Sequence, residues 1–259
     1  MKTILKWLLG IGVFVVVLIT GLFIFTSGMS GTVEDFFLAV REKNTEKAYS
    51  LLSDDFKSIT TQEILIQYLE KNALDKVQST HWENRSRSGV RGTLTGSVTT
   101  TSGGVVPISV SLVKGSSGWK IYALQKPLSG IQDESTSGQK MPSESDLVKL
   151  VSETTSIFAI SLNEKSMSRF HSYIAERWKQ EIDVNVLDNA FARYIKSGID
   201  LTVLEKYSPQ FSSKPSINED GHLQVKGKYT TKPDEFFFDY QYTYEGLGWK
   251  LMGINIQVK

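Results

Sequence analysis

Gly118-Trp119-Lys120-Ile121 is repeated later in the chain as Gly248-Trp249-Lys250-Leu251, and this repeat is the clearest indication of the fold. Each copy ends a region rich in β-branched and aromatic residues that alternate with period two, the pattern of strands with one buried face. The two copies are 130 residues apart, from 118 to 248. This spacing is too long for the unit of a solenoid, which spans about 20 to 50 residues, and indicates a duplicated domain.

Upstream segments repeat in the same order. Gly96-Ser97-Val98-Thr99-Thr100 returns as Gly227-Lys228-Tyr229-Thr230-Thr231, and Phe37-Leu38-Ala39-Val40 returns as Phe158-Ala159-Ile160-Ser161. The offset at this last pair is 121 residues, from 37 to 158, and such drift is expected when loops differ in length between duplicated domains. The sequence therefore predicts two tandem domains built on one plan.

Each copy begins with helical patterns and ends with strand patterns. Val33, Phe36, Phe37 and Val40 recur at helical spacing. Further helices are predicted at 44–56 and 61–71, and strands at 79–82, 89–101, 105–114 and 119–125. In the second copy, helices are predicted at 146–162, 164–180 and 184–197, and strands at 201–207, 214–217, 223–231, 235–244 and 249–256. The expected fold class is α+β, with three helices packed on a curved antiparallel sheet in each domain.

These motifs resemble the nuclear transport factor 2-like (cystatin-like cone) superfamily, and most of all its small bacterial exported members of unknown function. The opening Phe-x-x-Ala-x-x-x-x-Asn-x-x-x-Ala runs from Phe36 to Ala48, and Gly-Trp-Lys begins the last strand of each copy. The resemblance covers 31–127 and 146–258. It implies the fold and no catalytic residue, since this superfamily hosts isomerases, dehydratases, transport factors and secretion scaffolds on one frame.

The N-terminus predicts a membrane anchor. Trp7 to Phe25 is almost wholly apolar and is long enough to cross a bilayer as a helix. Lys2 and Lys6 precede this span, so the positive-inside rule places the N-terminus in the cytoplasm and the body outside. The alternative is a cleaved signal peptide ending near Thr26-Ser27-Gly28, although its apolar region would be unusually long.

The predicted organisation is a cytoplasmic tip and anchor at 1–30, a first domain at 31–127, a linker at 128–145 and a second domain at 146–259. The linker is rich in Pro, Gly, Ser and mixed charge, without apolar periodicity. The expected location is a single-pass protein of the bacterial inner (cytoplasmic) membrane, with its body in the periplasm or outside.

Composition excludes several kinds of chemistry. The chain has no cysteine, so disulfides, Cys nucleophiles and Cys-based metal sites are excluded. The net charge of +1 argues against nucleic acid as a partner, and the Arg85, Arg87 and Arg91 cluster is interpreted as a solvated strand edge. The three histidines, His81, His171 and His222, are not spaced as metal ligands. We therefore predict no catalytic residue, no metal site and no cofactor.

The most unusual segment is 235–244. Five aromatic residues of this strand fall on one face, whereas Asp239 falls on the other: Phe236, Phe238, Tyr240, Tyr242 and Tyr244. These rings could form the core under the helices, a surface for a partner, or the lining of a pocket for a small apolar ligand. The corresponding strand of the first copy, 106–112, has small β-branched residues instead.

The expected function is binding rather than catalysis: a membrane-anchored scaffold or accessory protein of an envelope complex, bound to protein partners and to the membrane through its N-terminal helix. A narrower version is the single-anchor inner-membrane component of a type IV secretion-like machine, whose plan this chain shares. The alternative is an exported small-ligand binder or enzyme that uses the aromatic residues of the second domain.

Overall fold

Helices precede an antiparallel sheet in each half of the chain. The computed structural model describes residues 28–126 and 141–259. The chain divides into two compact units, Met1–Lys126 and Pro127–Lys259, so the division lies next to the predicted domain end at 127. The predicted membrane span and most of the predicted linker lie outside the described residues. Within the described part, no helix has the length and apolar character needed to cross a membrane.

The first domain has four helical segments followed by a four-stranded sheet. The helices are α1 (28–41), α2 (Thr45–Ser50), α3 (Asp54–Ile59) and α4 (Gln62–Lys71). The strands, paired in the order β1-β2-β3-β4, are β1 (Val77–Ser88), β2 (Arg91–Thr100), β3 (Val105–Gly115) and β4 (Gly118–Gln125). All neighbouring strands are antiparallel.

Side-chain caps define where the short helices begin. The side chains of Asn44, Ser53 and Thr61 each accept a hydrogen bond from the backbone N–H three residues later, at the starts of α2, α3 and α4. Such caps satisfy backbone donors that have no partner inside the helix. Three short helices therefore follow one another, each beginning at its own capping side chain.

The core of the first domain lies between the helices and one face of the sheet. Along β2, alternate residues such as Leu94 and Val98 are buried, whereas Thr93 and Thr95 on the other face are partly exposed. Phe36 of α1 and Phe56 of α3 are fully buried. The period-two pattern of the sequence thus corresponds to one face packed on helices.

The second domain follows the same order with more irregular connections. Its helices are α5 (Glu144–Asn163), α6 (Ser168–Tyr173), α7 (Glu176–Glu181), α8 (Val184–Ala190), α9 (Ala192–Ser197) and a 3₁₀ helix (Leu201–Lys206). Its strands are β5 (Gln210–Phe211), β6 (Ser216–Ile217), β7 (Leu223–Tyr229), β8 (Phe236–Glu245) and β9 (Gly248–Val258). The sheet order is β5-β7-β8-β9, and β6 also pairs with β7.

The α+β arrangement of helices and antiparallel sheets agrees with the sequence, but three details were wrong. The predicted helix 184–197 is divided at Phe191 into α8 and α9. The second helix of each domain is divided in two: α2 and α3 in the first domain, α6 and α7 in the second. The predicted strand 201–207 is the 3₁₀ helix. Asp200 caps it by accepting the backbone N–H of Thr202, and buried Leu201 and Leu204 are three residues apart, one turn of such a helix.

The break in the divided helix has a structural reason that both domains share. In the first domain, the Ser53 N–H donates to the Ile121 carbonyl at 2.8 Å, which fixes the segment between α2 and α3 against β4. In the second, the Ala175 N–H donates to the Leu251 carbonyl at 2.7 Å, between α6 and α7. The break thus supplies a donor for one carbonyl on the outer edge of each last strand.

Two further features recur at matching positions. The register of β3 and β4 shifts beside Leu112, and that of β8 and β9 shifts beside Tyr242, which is the mark of a β-bulge. Gly96 and Gly227 are also equivalent. A Cβ on Gly96 would meet the His81 carbonyl oxygen, and one on Gly227 would meet the Gln210 carbonyl oxygen. The repeat seen in the sequence is therefore also a repeat of backbone contacts.

Candidate functional site

The aromatic row of β8 lies under α5. Tyr240 and Tyr242 have no exposed surface, and the three other rings, Phe236, Phe238 and Tyr244, are also buried. Neighbouring rings along the row contact each other, with centroids 5.0 Å apart for Phe238 and Tyr240 and 6.3 Å apart for Tyr240 and Tyr242. Of the three interpretations of this row, its burial agrees with a core under the helices.

Two adjacent threonines of α5 form hydrogen bonds with the buried tyrosine hydroxyls. Thr154 Oγ1 lies 3.0 Å from the Tyr242 hydroxyl and 2.9 Å from that of Tyr173. Thr155 Oγ1 donates to the Val151 carbonyl at 2.9 Å and lies 3.0 Å from the Tyr240 hydroxyl. A buried hydroxyl without a partner costs stability, so this pairing is what allows tyrosine rather than phenylalanine at these positions.

Burial shifts the acid–base behaviour of these phenols. Loss of contact with water raises the pKa of Tyr240 and Tyr242 well above the usual value for a phenol, because the charged phenolate is poorly solvated there. Burial raises the pKa of Tyr173 in the same direction, and the charge of nearby Glu153 adds to it. The hydroxyls therefore stay protonated and act as hydrogen-bond groups, not as bases, at neutral pH.

Three phenylalanine rings cover the helical side of this core. Phe158 of α5 packs edge-on against Phe170 of α6, with centroids 5.5 Å apart, and against Phe191 at 4.9 Å. Phe170 and Phe191 are in turn 6.3 Å apart. Such edge-to-face contacts are the preferred geometry of aromatic pairs. The interior of the second domain is thus filled by rings from both the sheet and the helices.

Asp239 is separated from the five rings. It lies on the opposite face of β8, where its Oδ2 forms an ion pair with Lys226 Nζ at 3.0 Å and its Oδ1 accepts from Gln224 Nε2 at 3.2 Å. Both partners belong to β7, the neighbouring strand. The structure therefore does not bring the predicted site residues together: the rings are inside and the carboxylate is on the outer face.

A pocket of about 380 Å³ opens beside this core, between α5 and the 3₁₀ helix. Leu201, Leu204, Thr155 and Tyr229 form its buried floor. Its rim carries polar and charged side chains, namely Lys149, Ser152, Glu153, Ser156 and Glu205. The Tyr229 hydroxyl lies 3.4 Å from Thr155 Oγ1, so the pocket reaches the buried hydroxyl network.

The three histidines lie apart from this pocket. His81 is exposed on β1. His171 Nε2 donates to the Ile182 carbonyl at 2.8 Å, and His222 Nδ1 accepts from Gln241 at 3.3 Å. Among residues 28–126 and 141–259, no group of three His, Asp or Glu side chains could hold a metal ion.

Sequence reasoning missed Thr154, Thr155 and Tyr173. A signal for the threonines exists, because they continue the buried stripe of α5 between Val151 and Phe158 at helical spacing. Two threonines inside such a stripe need partners, and the tyrosines of β8 supply them. Tyr173 gives no comparable signal, since its position depends on the break between α6 and α7.

Comparison with known proteins shows no family for this chain. No protein-family model matches the chain, and no curated protein matches it. Among solved structures, the crystal structure of a cystatin-like protein from Ruminococcus gnavus is similar to this chain, with 8% sequence identity and a TM-score of 0.30. The match covers 93% of this chain and 95% of that one.

Proposed function

We propose that this protein is a membrane-anchored binding protein whose two domains lie outside the cytoplasm and bind protein partners in the cell envelope. The observation that carries the proposal is the filled interior of the second domain. With the five rings of β8 buried and the Tyr240 and Tyr242 hydroxyls paired, the inner face of the sheet is part of the core. Recognition then belongs to the outer surfaces.

Comparison of the two domains supports this proposal. Thr154 of α5 corresponds to Val33 of α1, and Tyr242 of β8 corresponds to Leu112 of β3, so the buried hydroxyls of the second domain have no counterpart in the first. What the duplication repeats is a set of backbone contacts at Ile121 and Leu251. A shared frame without shared polar side chains fits a protein that uses surfaces rather than one reaction site.

The anchor rests on the sequence. Trp7 to Phe25 contains no charged residue, and Lys2 and Lys6 lie on its N-terminal side. A protein held in this way keeps both domains within reach of the same membrane, where envelope complexes assemble.

Topology is tested first, and the absence of cysteine makes the test direct. We expect a Val105→Cys variant to react with a membrane-impermeant maleimide in intact cells, and a Thr3→Cys variant to react only after the cells are opened. Both should remain in the membrane after carbonate extraction. Labelling of Thr3→Cys in intact cells, or release of the protein by carbonate, would contradict the proposal.

Partners are tested by crosslinking in native membranes, followed by recovery through a C-terminal tag and mass spectrometry. We expect a defined set of envelope proteins. Charge reversal on the outer face of the second sheet, Lys226→Glu with Asp239→Lys, keeps the ion pair in reversed order and should reduce recovery if that face binds. Recovery of secretion-machine components would favour the narrower hypothesis, that the protein is an inner-membrane component of a type IV secretion-like machine. Recovery of no protein beyond an untagged control would count against the scaffold.

The pocket between α5 and the 3₁₀ helix favours a second candidate function, the binding of a small apolar ligand. Its floor of two leucines and a tyrosine ring suits an apolar molecule, and its rim would hold a polar end. A fragment screen by ligand-observed NMR should find binders that a Ser152→Phe variant loses and a Ser145→Phe variant keeps. Ser152 lines the pocket, whereas Ser145 is exposed in the first turn of α5. A screen without such binders would reject this candidate.

A further inference from the structure

One end of the first domain concentrates positive charge. From Asn84 to Lys126 the sequence contains six Lys and Arg residues and no Asp or Glu. Arg85, Arg87 and Arg91 lie in or beside the β1–β2 hairpin, and Lys114 lies at the end of β3. The Lys114 N–H donates to the Val90 carbonyl at 2.7 Å, which joins the two hairpin turns. We call these four cations, together with Val90, the basic end.

The basic end is open and carries an exposed apolar residue. Val90, at the tip of the β1–β2 hairpin, is 59% exposed. A Cβ on the turn residues Gly89, Gly115 or Gly118 would meet no described atom within 4 Å. Among the described residues, no carboxylate forms an ion pair with Arg85, Arg91 or Lys114. An apolar tip between cations is suited to an anionic interface between water and lipid.

The start of α1 lies at this same end of the sheet. A Cβ on Gly28 would lie 3.2 Å from Cδ1 of Trp119, and one on Gly92 would meet Met29. The Arg87 guanidinium lies over the Trp119 ring, 5.3 Å from its centroid. The predicted span ends at Phe25, three residues before Gly28, and three residues reach at most about 11 Å. The chain would therefore leave the membrane beside the basic end.

The second domain shows that this charge is not a requirement of the fold. The position that corresponds to Gly115 is Glu245, which is buried and accepts the Glu176 N–H at 2.9 Å. The sheet region of the second domain, 210–258, contains six Asp and Glu residues. The first sheet has a single acidic residue, Glu83 of β1, and none from Asn84 to Lys126.

We propose that the basic end of the first domain binds the anionic lipid headgroups of the membrane that holds the predicted span. This inference rests on the anchor of the proposed function. The cations attract the lipid phosphates, Val90 enters the interface, and the span keeps the surface at a high local concentration of lipid. The first domain is thereby oriented with its hairpin turns towards the bilayer.

The test uses the full chain in vesicles of phosphatidylcholine, with or without phosphatidylglycerol. A fluorophore on a Val90→Cys variant is quenched by lipids that carry a nitroxide on their acyl chains. The matched control is a Val105→Cys variant, because Val105 is equally apolar, 65% exposed, and at the opposite end of β3. We expect quenching at position 90 that increases with phosphatidylglycerol, and little quenching at position 105.

Charge removal gives the second part of the test. Each cation near an anionic membrane contributes about fivefold to binding, so Arg85→Gln, Arg91→Gln and Lys114→Gln together should weaken docking about a hundredfold. Quenching should then fall to its level in phosphatidylcholine alone, and about 1 M salt should have a similar effect. As a control, three exposed lysines of the second domain are changed in the same way, by Lys196→Gln, Lys206→Gln and Lys232→Gln. These changes should leave the quenching at position 90 unchanged.

The outcomes separate the two proposals. A protein that carbonate extracts from the vesicles would overturn the anchor, and the docking with it. A carbonate-resistant protein with equal quenching at positions 90 and 105, or with quenching independent of phosphatidylglycerol, would overturn the docking alone.

Discussion

Tyr242 contributes to stability through its ring and its hydroxyl separately. The ring is fully buried under α5, and the hydroxyl lies 3.0 Å from Thr154 Oγ1. Tyr242→Ala should lower the free energy of unfolding by about 3 to 5 kcal/mol, and Tyr242→Phe by about 1 to 2 kcal/mol. Urea denaturation measures both. As a control, Asn255→Ala at an exposed position of β9 should change the free energy of unfolding by less than about 0.5 kcal/mol. An unchanged stability in Tyr242→Ala would show that the ring is not part of the core.

The buried phenols also predict a loss of stability in alkali. Burial raises the pKa of Tyr173, Tyr240 and Tyr242 above the value of 10.0 that applies in the unfolded chain. Their contribution is therefore complete below pH 10 and is lost as the pH rises above it, by at most about 1.4 kcal/mol per pH unit for each group. Urea denaturation between pH 8 and pH 11 should show this decline.

A matched substitution identifies the groups responsible. A variant with Tyr240→Phe should lose less stability between pH 10 and pH 11 than the natural protein. The Tyr207→Phe variant should lose as much stability over this range as the natural protein, since Tyr207 is exposed. Equal alkaline losses in all three proteins would assign the effect to other groups.

At the scale of single residues, the sequence identified the face of each β8 side chain correctly but not what the aromatic row contacts. Period-two alternation separates Asp239 from the rings, because neighbouring residues of a strand point to opposite faces. Whether a row of rings is covered depends on α5, which is distant in the sequence. Only the pairing of its threonines with Tyr240 and Tyr242 resolves that question.

Among the structural elements, the equivalent glycines of β2 and β7 should be intolerant of a side chain. A Cβ on Gly227 would meet the Gln210 carbonyl oxygen and the Phe238 ring, so Gly227→Ala should destabilise the protein by about 1 to 3 kcal/mol. Gly115→Ala is the matched control, because a Cβ there meets no other described atom within 4 Å. Thermal denaturation measures the melting temperatures of the two variants. Equal melting temperatures for Gly227→Ala and Gly115→Ala would contradict the close approach of β5 to β7.

The helices and strands were predicted where local signals agree with long-range contacts. Strands β7 and β8 alternate between buried and more exposed residues. These two strands and β9 were placed within a few residues of their bounds. The division between α6 and α7 could not be read locally, since it follows from the bond between Ala175 and Leu251, far apart in the sequence. The segment 201–207 has strand-forming residues, but the cap at Asp200 favours a 3₁₀ turn.

For the whole molecule, two compact units predict two unfolding events. Leu112 and Tyr242 occupy matching positions beside the bulge of each sheet, and both are buried. Calorimetry should resolve two transitions, with Leu112→Ala lowering the temperature of one and Tyr242→Ala that of the other. A single transition that both substitutions shift equally would mean that the units unfold together.

The duplication is the feature of the whole chain that sequence alone reveals best. Gly-Trp-Lys at 118–120 and 248–250 begins the last strand of each sheet, and the repeated glycines at 96 and 227 lie where another backbone approaches. The charge of the first sheet was also visible in the sequence. Its concentration at one end was not, because that depends on how the turns after Ser88 and Gly115 are joined through Val90.

The edge strands of the two sheets affect how this protein would behave when crowded. On one edge of each sheet, a helix junction donates a hydrogen bond to a single carbonyl of β4 or β9, through Ser53 or Ala175. The opposite edge of the second sheet consists of two strands of only two residues, β5 and β6. Among the described edge strands, β1 is the longest, and it carries Glu83, Arg85 and Arg87. Charged side chains on an edge strand oppose pairing with another chain, so we expect this edge to resist fibril-like growth.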